Sequence, residues 1–192
     1  LSAEPEPPRD YDRVAISSYS AQVLDAYRVA DVYRARGVPV AMGGPHVTML
    51  PAEAIAHGAT AVIGEGELSW PRLLADLRAG RLAPEYRVPA GVTFDLADAP
   101  VPRYELLDPG RYNRLTVQTS RGCPHRCEFC AGSILLTPRY AVKPVERVIA
   151  EIRRIKETWP TPFIEFADDN SFVSRRHSRH LLAALRTENV KW

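Results

Sequence analysis

Residues 38–46 have the sequence Val-Pro-Val-Ala-Met-Gly-Gly-Pro-His, a short apolar run that ends at two glycines and a proline. Such a run is too short for a typical helix and is characteristic of a buried strand. Similar runs occur before it, at 14–16, and after it, at 61–63. Segments with helical periodicity separate the three runs, which predicts a parallel sheet with helices on both faces. The amino-terminal part is therefore predicted to be an α/β domain of Rossmann-like type.

The helices between these strands have recognisable boundaries. Apolar residues recur at helical spacing over 20–36, and Gly37 is expected to end that helix. Pro51 is typical of the first turn of a helix that ends near Gly58. Ser69 is the predicted N-cap of a third helix.

A second strand–helix series begins at 115–119. It continues with a helix from Pro144 to about residue 157, a strand at 163–166 and a helix capped by Ser174. The last three residues, Val-Lys-Trp, are typical of the start of another strand. Two strand–helix units cannot close a core by themselves, so we expect the chain to be a fragment.

Composition limits the possible classes of protein. The chain has 192 residues, of which 45% are hydrophobic and 25% charged, as in soluble globular proteins. No apolar stretch approaches the roughly 20 residues of a membrane-spanning helix. The net charge of +2 is too small to indicate a nucleic-acid partner. Because prolines concentrate between the two series, we expect three segments: a domain at 1–80, a linker at 81–113 and a second domain at 114–192.

The three cysteines lie within eight residues, as Cys123-x-x-x-Cys127-x-x-Cys130. An odd, clustered set is a poor disulfide framework and indicates a metal site in a reducing, cytoplasmic compartment. Three thiolates can ligate three irons of a 4Fe–4S cluster and leave the fourth iron open for a small molecule. The alternative is a structural zinc site with His125 as fourth ligand, although such sites usually combine two separated pairs of ligands.

The stretch 120–130, Ser-Arg-Gly-Cys-Pro-His-Arg-Cys-Glu-Phe-Cys, resembles the cysteine loop of radical S-adenosylmethionine (SAM) enzymes. The resemblance implies a 4Fe–4S cluster on Cys123, Cys127 and Cys130, with SAM on the open iron. It also implies that Phe129 packs near the adenine of SAM, and that 114–192 forms the first strand–helix units of a partial β/α (TIM-like) barrel. An electron donor such as flavodoxin or ferredoxin would then be a partner.

Asp168, Asp169 and Asn170 directly follow the second strand of this half. Active sites of parallel β/α barrels gather at these strand ends. The resemblance implies that Asp168 and Asn170 contact the amino group of SAM. The alternative is a simple turn or capping cluster, since Asp and Asn favour both.

The amino-terminal half resembles the cobalamin-binding domain that precedes many radical SAM modules. The similarity lies in Ile16-Ser17-Ser18, in 43–46, in Pro51-Ala52-Glu53 and in the Gly-Glu-Gly-Glu sequence at 64–67. It implies that Ser17, Gly43 and Gly44 line the pocket for the nucleotide tail of cobalamin.

The Asp-x-His-x-x-Gly loop of histidine-ligated cobalamin domains is absent from residues 1–14. An upstream loop, binding without a histidine ligand, and a degenerate domain that binds no cobalamin all remain open. We do not assign His46 or His57 to cobalt, because lone histidines are more often structural.

Together these features predict a radical SAM enzyme that cleaves SAM to a 5′-deoxyadenosyl radical. Cobalamin would direct it to methyl transfer or to a radical rearrangement of a small-molecule substrate. The alternatives are a radical SAM enzyme without functional cobalamin, such as a methylthiotransferase, and a zinc-stabilised binding module.

Overall fold

The computed structural model describes residues 10–125, 127–132 and 139–192. The chain divides into two units, Leu1–Phe94 and Asp95–Trp192. This boundary falls inside the proline-rich segment 81–113. Each unit has its own hydrophobic core.

The first unit contains a four-stranded parallel sheet whose strands lie side by side in chain order. Val14 lies opposite Val40, Ser17 opposite Gly43, and Val62 opposite Tyr86. Because all pairs are parallel, the carboxyl ends of the strands lie at one edge. The strands are β1 (Val14–Ser17), β2 (Val40–Gly43), β3 (Thr60–Ile63) and β4 (Glu85–Arg87).

Helices cover both faces of this sheet. They are α1 (Val23–Ala35), α2 (Pro45–Met49), α3 (Pro51–Ala56) and α4 (Gly66–Arg78). Met42 belongs to a buried cluster with Ala30 of α1 and Ala54 of α3. Its neighbour Ala41 belongs to a second cluster with Leu73 of α4. This alternation along β2 confirms the predicted Rossmann-like parallel sheet.

Three details of the first unit differ from the sequence-based expectations. Ser69 is not an N-cap: α4 begins one turn earlier, at Gly66, and Ser69 is buried inside it. Helix α2 follows Gly44 directly and was not predicted. Strand β4 lies within 81–113, and its central Tyr86 is buried and donates a hydrogen bond to Asp76 at 3.0 Å.

The second unit combines a parallel and an antiparallel strand pair. In the parallel pair, Leu115 lies opposite Ile164; in the antiparallel pair, Ser120 lies opposite Val142. Lys191 forms a parallel bridge with Phe163, the residue before Ile164. The elements are β5 (Leu115–Val117), β6 (Ser120–Arg121), β7 (Ala141–Val142), α5 (Val145–Thr158), β8 (Ile164–Phe166) and α6 (Arg175–Glu188).

Helices α5 and α6 supply most of the second core. Val148 and Ile152 of α5 are fully buried, as is Leu181 of α6. The Ser174 hydroxyl accepts a hydrogen bond from the backbone N–H of His177 at 3.3 Å, so this predicted N-cap is confirmed. Across the part of the chain that the structure describes, no helix has both the length and the apolar character needed to cross a membrane.

Candidate functional site

An open cavity of about 320 Å³ lies at the carboxyl edge of the first sheet. Ser17 ends β1, Gly43 ends β2, and Gly64 follows β3, so three strand ends contribute to its wall. All three residues predicted to bind cobalamin, Ser17, Gly43 and Gly44, line this cavity. The other lining residues are Ala15, Ile16, Ala41, Met42, Val62, Gly64, Gly66 and Trp70. The wall is therefore apolar, with small residues at the strand ends.

Gly44 is required by the local geometry. Its φ of +91° is a conformation that side-chain-bearing residues rarely adopt. A Cβ atom here would lie 2.7 Å from Ser17 Oγ and 2.9 Å from the Ser18 carbonyl oxygen. The missing side chain thus lets the β1 loop and the β2 turn approach each other.

Hydrogen bonds connect these two loops. The Ser18 N–H donates to the Gly43 carbonyl at 3.3 Å, and the His46 N–H donates to the Ser18 carbonyl at 3.5 Å. The Ser18 hydroxyl itself is buried and has no hydrogen-bond partner within the described ranges. The glycines that line the cavity leave room for a large ligand to approach the backbone at the strand ends.

The two histidines of the first unit considered as cobalt ligands, His46 and His57, are engaged by other side chains. His46 is buried; its Nδ1 lies 2.9 Å from Ser20 Oγ and its Nε2 lies 3.1 Å from Glu53 Oε2. The hydrogen bond to His46 holds the pKa of the Glu53 carboxyl below its ordinary value. His57 stacks on the Tyr27 ring at 4.0 Å. Both rings have structural contacts, which gives no support for either as a cobalt ligand.

The cysteine loop follows β6 in the second unit. Cys123 and Cys130 are partly buried, Cys127 is exposed, and none forms a disulfide. The Cys130 N–H donates to the Cys127 carbonyl at 2.9 Å, which closes a turn between them. Three thiols on one short loop are the donor set that an iron–sulfur cluster uses. Over the ranges 10–125, 127–132 and 139–192, no three Cys, His, Asp or Glu side chains already converge on a metal-sized site. Arg126 of the predicted motif lies outside these ranges.

Phe129 is 91% exposed on this loop. Its ring thus has a free face at the position where the sequence predicts contact with an adenine.

Asp168 follows β8 and binds the chain just before the cysteine loop. Its Oδ1 accepts from the backbone N–H groups of Thr119 at 2.7 Å and Ser120 at 2.9 Å. Its Oδ2 accepts from the Thr119 hydroxyl at 2.5 Å. Thr119 and Ser120 are completely buried, and sequence analysis did not identify them.

The next two residues contact the loop itself. Asp169 Oδ2 accepts from the Gly122 N–H at 2.8 Å. The Asn170 side-chain amide donates to Cys123 Sγ at 3.8 Å, within the range of hydrogen bonds to sulfur. The structure therefore brings Asp168 and Asn170 together with Cys123, although more than 40 residues separate them in sequence.

Comparison with known proteins gives an independent test of the predicted family. Residues 8–74 match the B12 binding domain family, over the strands and loops that enclose the cavity. An uncharacterized methyltransferase of Pyrococcus horikoshii is 30% identical over 95% of this chain and 45% of its own length. The bacteriochlorophyllide d C-12(1)-methyltransferase of Chlorobaculum tepidum is 28% identical over 95% of this chain and 41% of its own length.

A solved structure has the same fold. The radical SAM methyltransferase TsrM from Kitasatospora setae, with cobalamin and a [4Fe-4S] cluster bound, aligns with a TM-score of 0.70. The alignment covers 91% of this chain and 40% of TsrM at 18% sequence identity. The first unit belongs to the B12 binding domain family, and the whole chain is similar in fold to a cobalamin-binding radical SAM protein.

Membership in this family agrees with the resemblance found in the sequence. The chain spans between 32% and 45% of the length of the first curated relatives that it matches.

Proposed function

We propose that this chain is part of a cobalamin-dependent radical SAM methyltransferase. The names of the Pyrococcus and Chlorobaculum relatives favour methyl transfer over a radical rearrangement. The proposal divides the work between the units: the first holds cobalamin, and the second holds a 4Fe–4S cluster and SAM.

The observation that carries the proposal is the cavity at the carboxyl edge of the first sheet. It lies within residues that match the B12 binding domain family, and Ser17, Gly43 and Gly44 line it. Ligands of open parallel sheets commonly bind at this edge. The glycines leave space for the nucleotide tail of cobalamin, and the Ser17 hydroxyl offers it a polar contact.

In the second unit, Cys123, Cys127 and Cys130 would hold the cluster, and Phe129 would pack against the adenine of SAM. Among the described residues, Asp168 accepts three hydrogen bonds, of about four that a carboxylate can accept. A further acceptor position on Oδ2 would take the SAM amino group, with Asn170 beside it. When bound, the cluster would supply electrons for reductive cleavage of SAM, and cobalamin would carry the methyl group.

Further parts of the proposal concern the surroundings of the enzyme. An odd, tightly clustered set of three cysteines favours a reducing, cytoplasmic compartment. The reaction also requires an external electron donor, for which flavodoxin or ferredoxin is suitable, and a small-molecule substrate.

Metal analysis after anaerobic reconstitution with iron, sulfide and cobalamin tests the proposal. We expect iron, acid-labile sulfide and cobalt in the protein, and an EPR signal of the reduced cluster that changes when SAM is added. The matched control replaces all three cysteines by alanine, which should remove iron and sulfide and leave cobalt bound.

Each of the other possible results of the metal analysis would indicate a different kind of protein. Iron and sulfide without cobalt would indicate a radical SAM enzyme that does not use cobalamin. Zinc alone would indicate a metal-stabilised binding module, and a cluster that does not respond to SAM would contradict the radical mechanism.

A further inference from the structure

We propose that residues 168–170, here called the clasp, are positioning residues that hold the cysteine loop in place and tune one of its sulfurs. Each of the three side chains contacts a different part of the segment 119–123. Strand β8, which ends just before the clasp, lies beside β5, which leads towards the loop. The position of the loop is therefore coupled to the sheet through the clasp.

Asp168 orders the chain at the entrance to the loop. Thr119 and Ser120 are fully buried, and an unpaired buried N–H is destabilising. The Asp168 carboxylate satisfies both N–H groups and the Thr119 hydroxyl, at distances of 2.5 to 2.9 Å. Hydrogen bonds to a charged acceptor are stronger than those between neutral groups, so this one side chain fixes two consecutive residues.

Asp169 lies near both ends of the loop. One oxygen accepts from the N–H of Gly122, which directly precedes Cys123. A Cβ on Gly132 would lie 3.3 Å from the other oxygen and 3.8 Å from Cys130 Sγ. Asp169 thus lies beside the residue before the first cysteine and the residue two positions after the last.

Asn170 acts on a sulfur atom. Its Oδ1 accepts from the Phe172 N–H at 3.2 Å, which orients the amide so that Nδ2 donates to Cys123 Sγ. In iron–sulfur proteins, hydrogen bonds to the sulfurs help to set the reduction potential of the cluster. A donor withdraws electron density from the thiolate and favours the reduced form. This part of the inference rests on the proposed function, because it concerns a cluster on Cys123.

Hydrogen exchange of the cluster-free protein tests the clasp independently of any metal. Asp168→Asn removes the charge and one acceptor, and we expect exchange at Thr119 and Ser120 to accelerate by about tenfold or more. The matched control is Glu165→Gln, which makes the same change on β8 at an exposed side chain paired with Arg114 at 3.1 Å. Equal exchange in the wild type and Asp168→Asn would overturn the positioning role.

A second variant tests the clasp if the first variant does not fold. If Asp168→Asn does not fold, Asp169→Ala removes the acceptor of the Gly122 N–H and leaves the contacts of Asp168 in place. Faster exchange confined to Gly122 would support the clasp, and unchanged exchange there would contradict it.

A redox titration of the reconstituted protein tests Asn170. Asn170→Leu removes the N–H donor, and we expect the reduced fraction at a fixed potential to fall severalfold. A tenfold change corresponds to about 59 mV for a one-electron couple. Asn113→Leu, an exposed asparagine in the same unit, should leave the potential unchanged.

The outcomes separate this inference from the proposed function. A wild-type protein that binds no cluster would contradict the proposed function, while the exchange experiment still decides the role of Asp168. A bound cluster whose potential is the same in the wild type and in Asn170→Leu would overturn the role of Asn170 only.

Discussion

The two units use the carboxyl edge of their parallel strands in opposite ways. In the first unit the strand ends carry glycines, and the missing side chains leave a cavity of about 320 Å³. In the second unit the end of β8 carries Asp168, Asp169 and Asn170, and their side chains bind the cysteine loop. One edge provides space, and the other provides hydrogen bonds.

This difference follows from what each edge would hold. A large preformed ligand needs room and close approach to the backbone, which glycine allows. A cluster built on a short loop needs that loop to be held in one conformation, which buried hydrogen bonds achieve. Steric substitutions should therefore disturb the first unit most, and substitutions that remove polar partners should disturb the second.

The largest effect on ligand binding is expected at Gly44 in the first unit. Gly44→Ala combines backbone strain of about 1–3 kcal/mol with a Cβ placed 2.7 Å from Ser17 Oγ. The loops around the cavity must then move apart, and we expect cobalamin binding to be lost, as measured by cobalt content after gel filtration. Gly37→Ala is the matched control, because Gly37 also has positive φ but open space at its Cβ position. Equal cobalt loss in both variants would show that strain, and not the cavity, is responsible.

The next largest effect is expected at a buried ion pair of the second unit. Lys143 and Glu151 are both buried, with 2.6 Å between Nζ and Oε1, and the Lys143 N–H donates to the Thr119 carbonyl. Glu151→Gln leaves a buried ammonium without its counter-charge and should lower the free energy of unfolding by about 3–5 kcal/mol. Urea unfolding measures this loss of stability, and hydrogen exchange in α5 provides a second measurement of it. The double variant Lys143→Met, Glu151→Leu should recover most of the loss, and a double variant as unstable as the single one would contradict this explanation.

A smaller effect is expected at the beginning of α6. Ser174→Ala removes the acceptor for the His177 N–H and should cost about 1 kcal/mol, seen as faster exchange in the first turn of α6. Thr187→Ala, at the far end of the same helix, removes a hydroxyl that bonds only locally to the Ala184 carbonyl. If exchange in the first turn rises equally in both variants, the cap contributes nothing specific.

The smallest effect is a pH dependence that comes from His177. This ring is buried, its Nε2 has no hydrogen-bond partner among the described residues, and burial lowers its pKa. The unfolded chain then binds a proton more readily than the folded one, so stability should fall as the pH drops below about 6.5. Urea unfolding between pH 7.5 and 5 should show a shallower fall for His177→Gln than for the wild type. Parallel pH profiles would exclude a contribution from this residue.

The strands of the first sheet could be predicted because each is a continuous apolar run. Strand β4 was not predicted, because Tyr86 is its only apolar residue and charged side chains flank it. Helix α2 was missed for a related reason: Gly-Gly-Pro indicates a turn, and the five-residue helix behind it is too short to show a periodic pattern.

The residues of the candidate sites also fall into two groups, those that a local pattern indicates and those that depend on contacts between distant residues. The cysteine spacing and the Gly43-Gly44 turn are local patterns, and the structure places Ser17, Gly43 and Gly44 around one cavity. The contacts of Asp168 with Thr119 and Ser120 join residues 48 and 49 positions apart. Such pairs depend on β5 and β8 lying side by side, which no local pattern of a single sequence reveals. The binding roles of all these residues stay predictions.

Trp70 gives the first unit a built-in optical probe. Its indole lines the cavity whose other walls are mostly small side chains. A coloured macrocycle in that cavity would absorb the light that the indole emits, so cobalamin would quench the fluorescence of this residue. Replacing Trp159 and Trp192 by phenylalanine would leave Trp70 as the single tryptophan of the chain. Occupancy of the cavity could then be followed in real time, without isolating the complex.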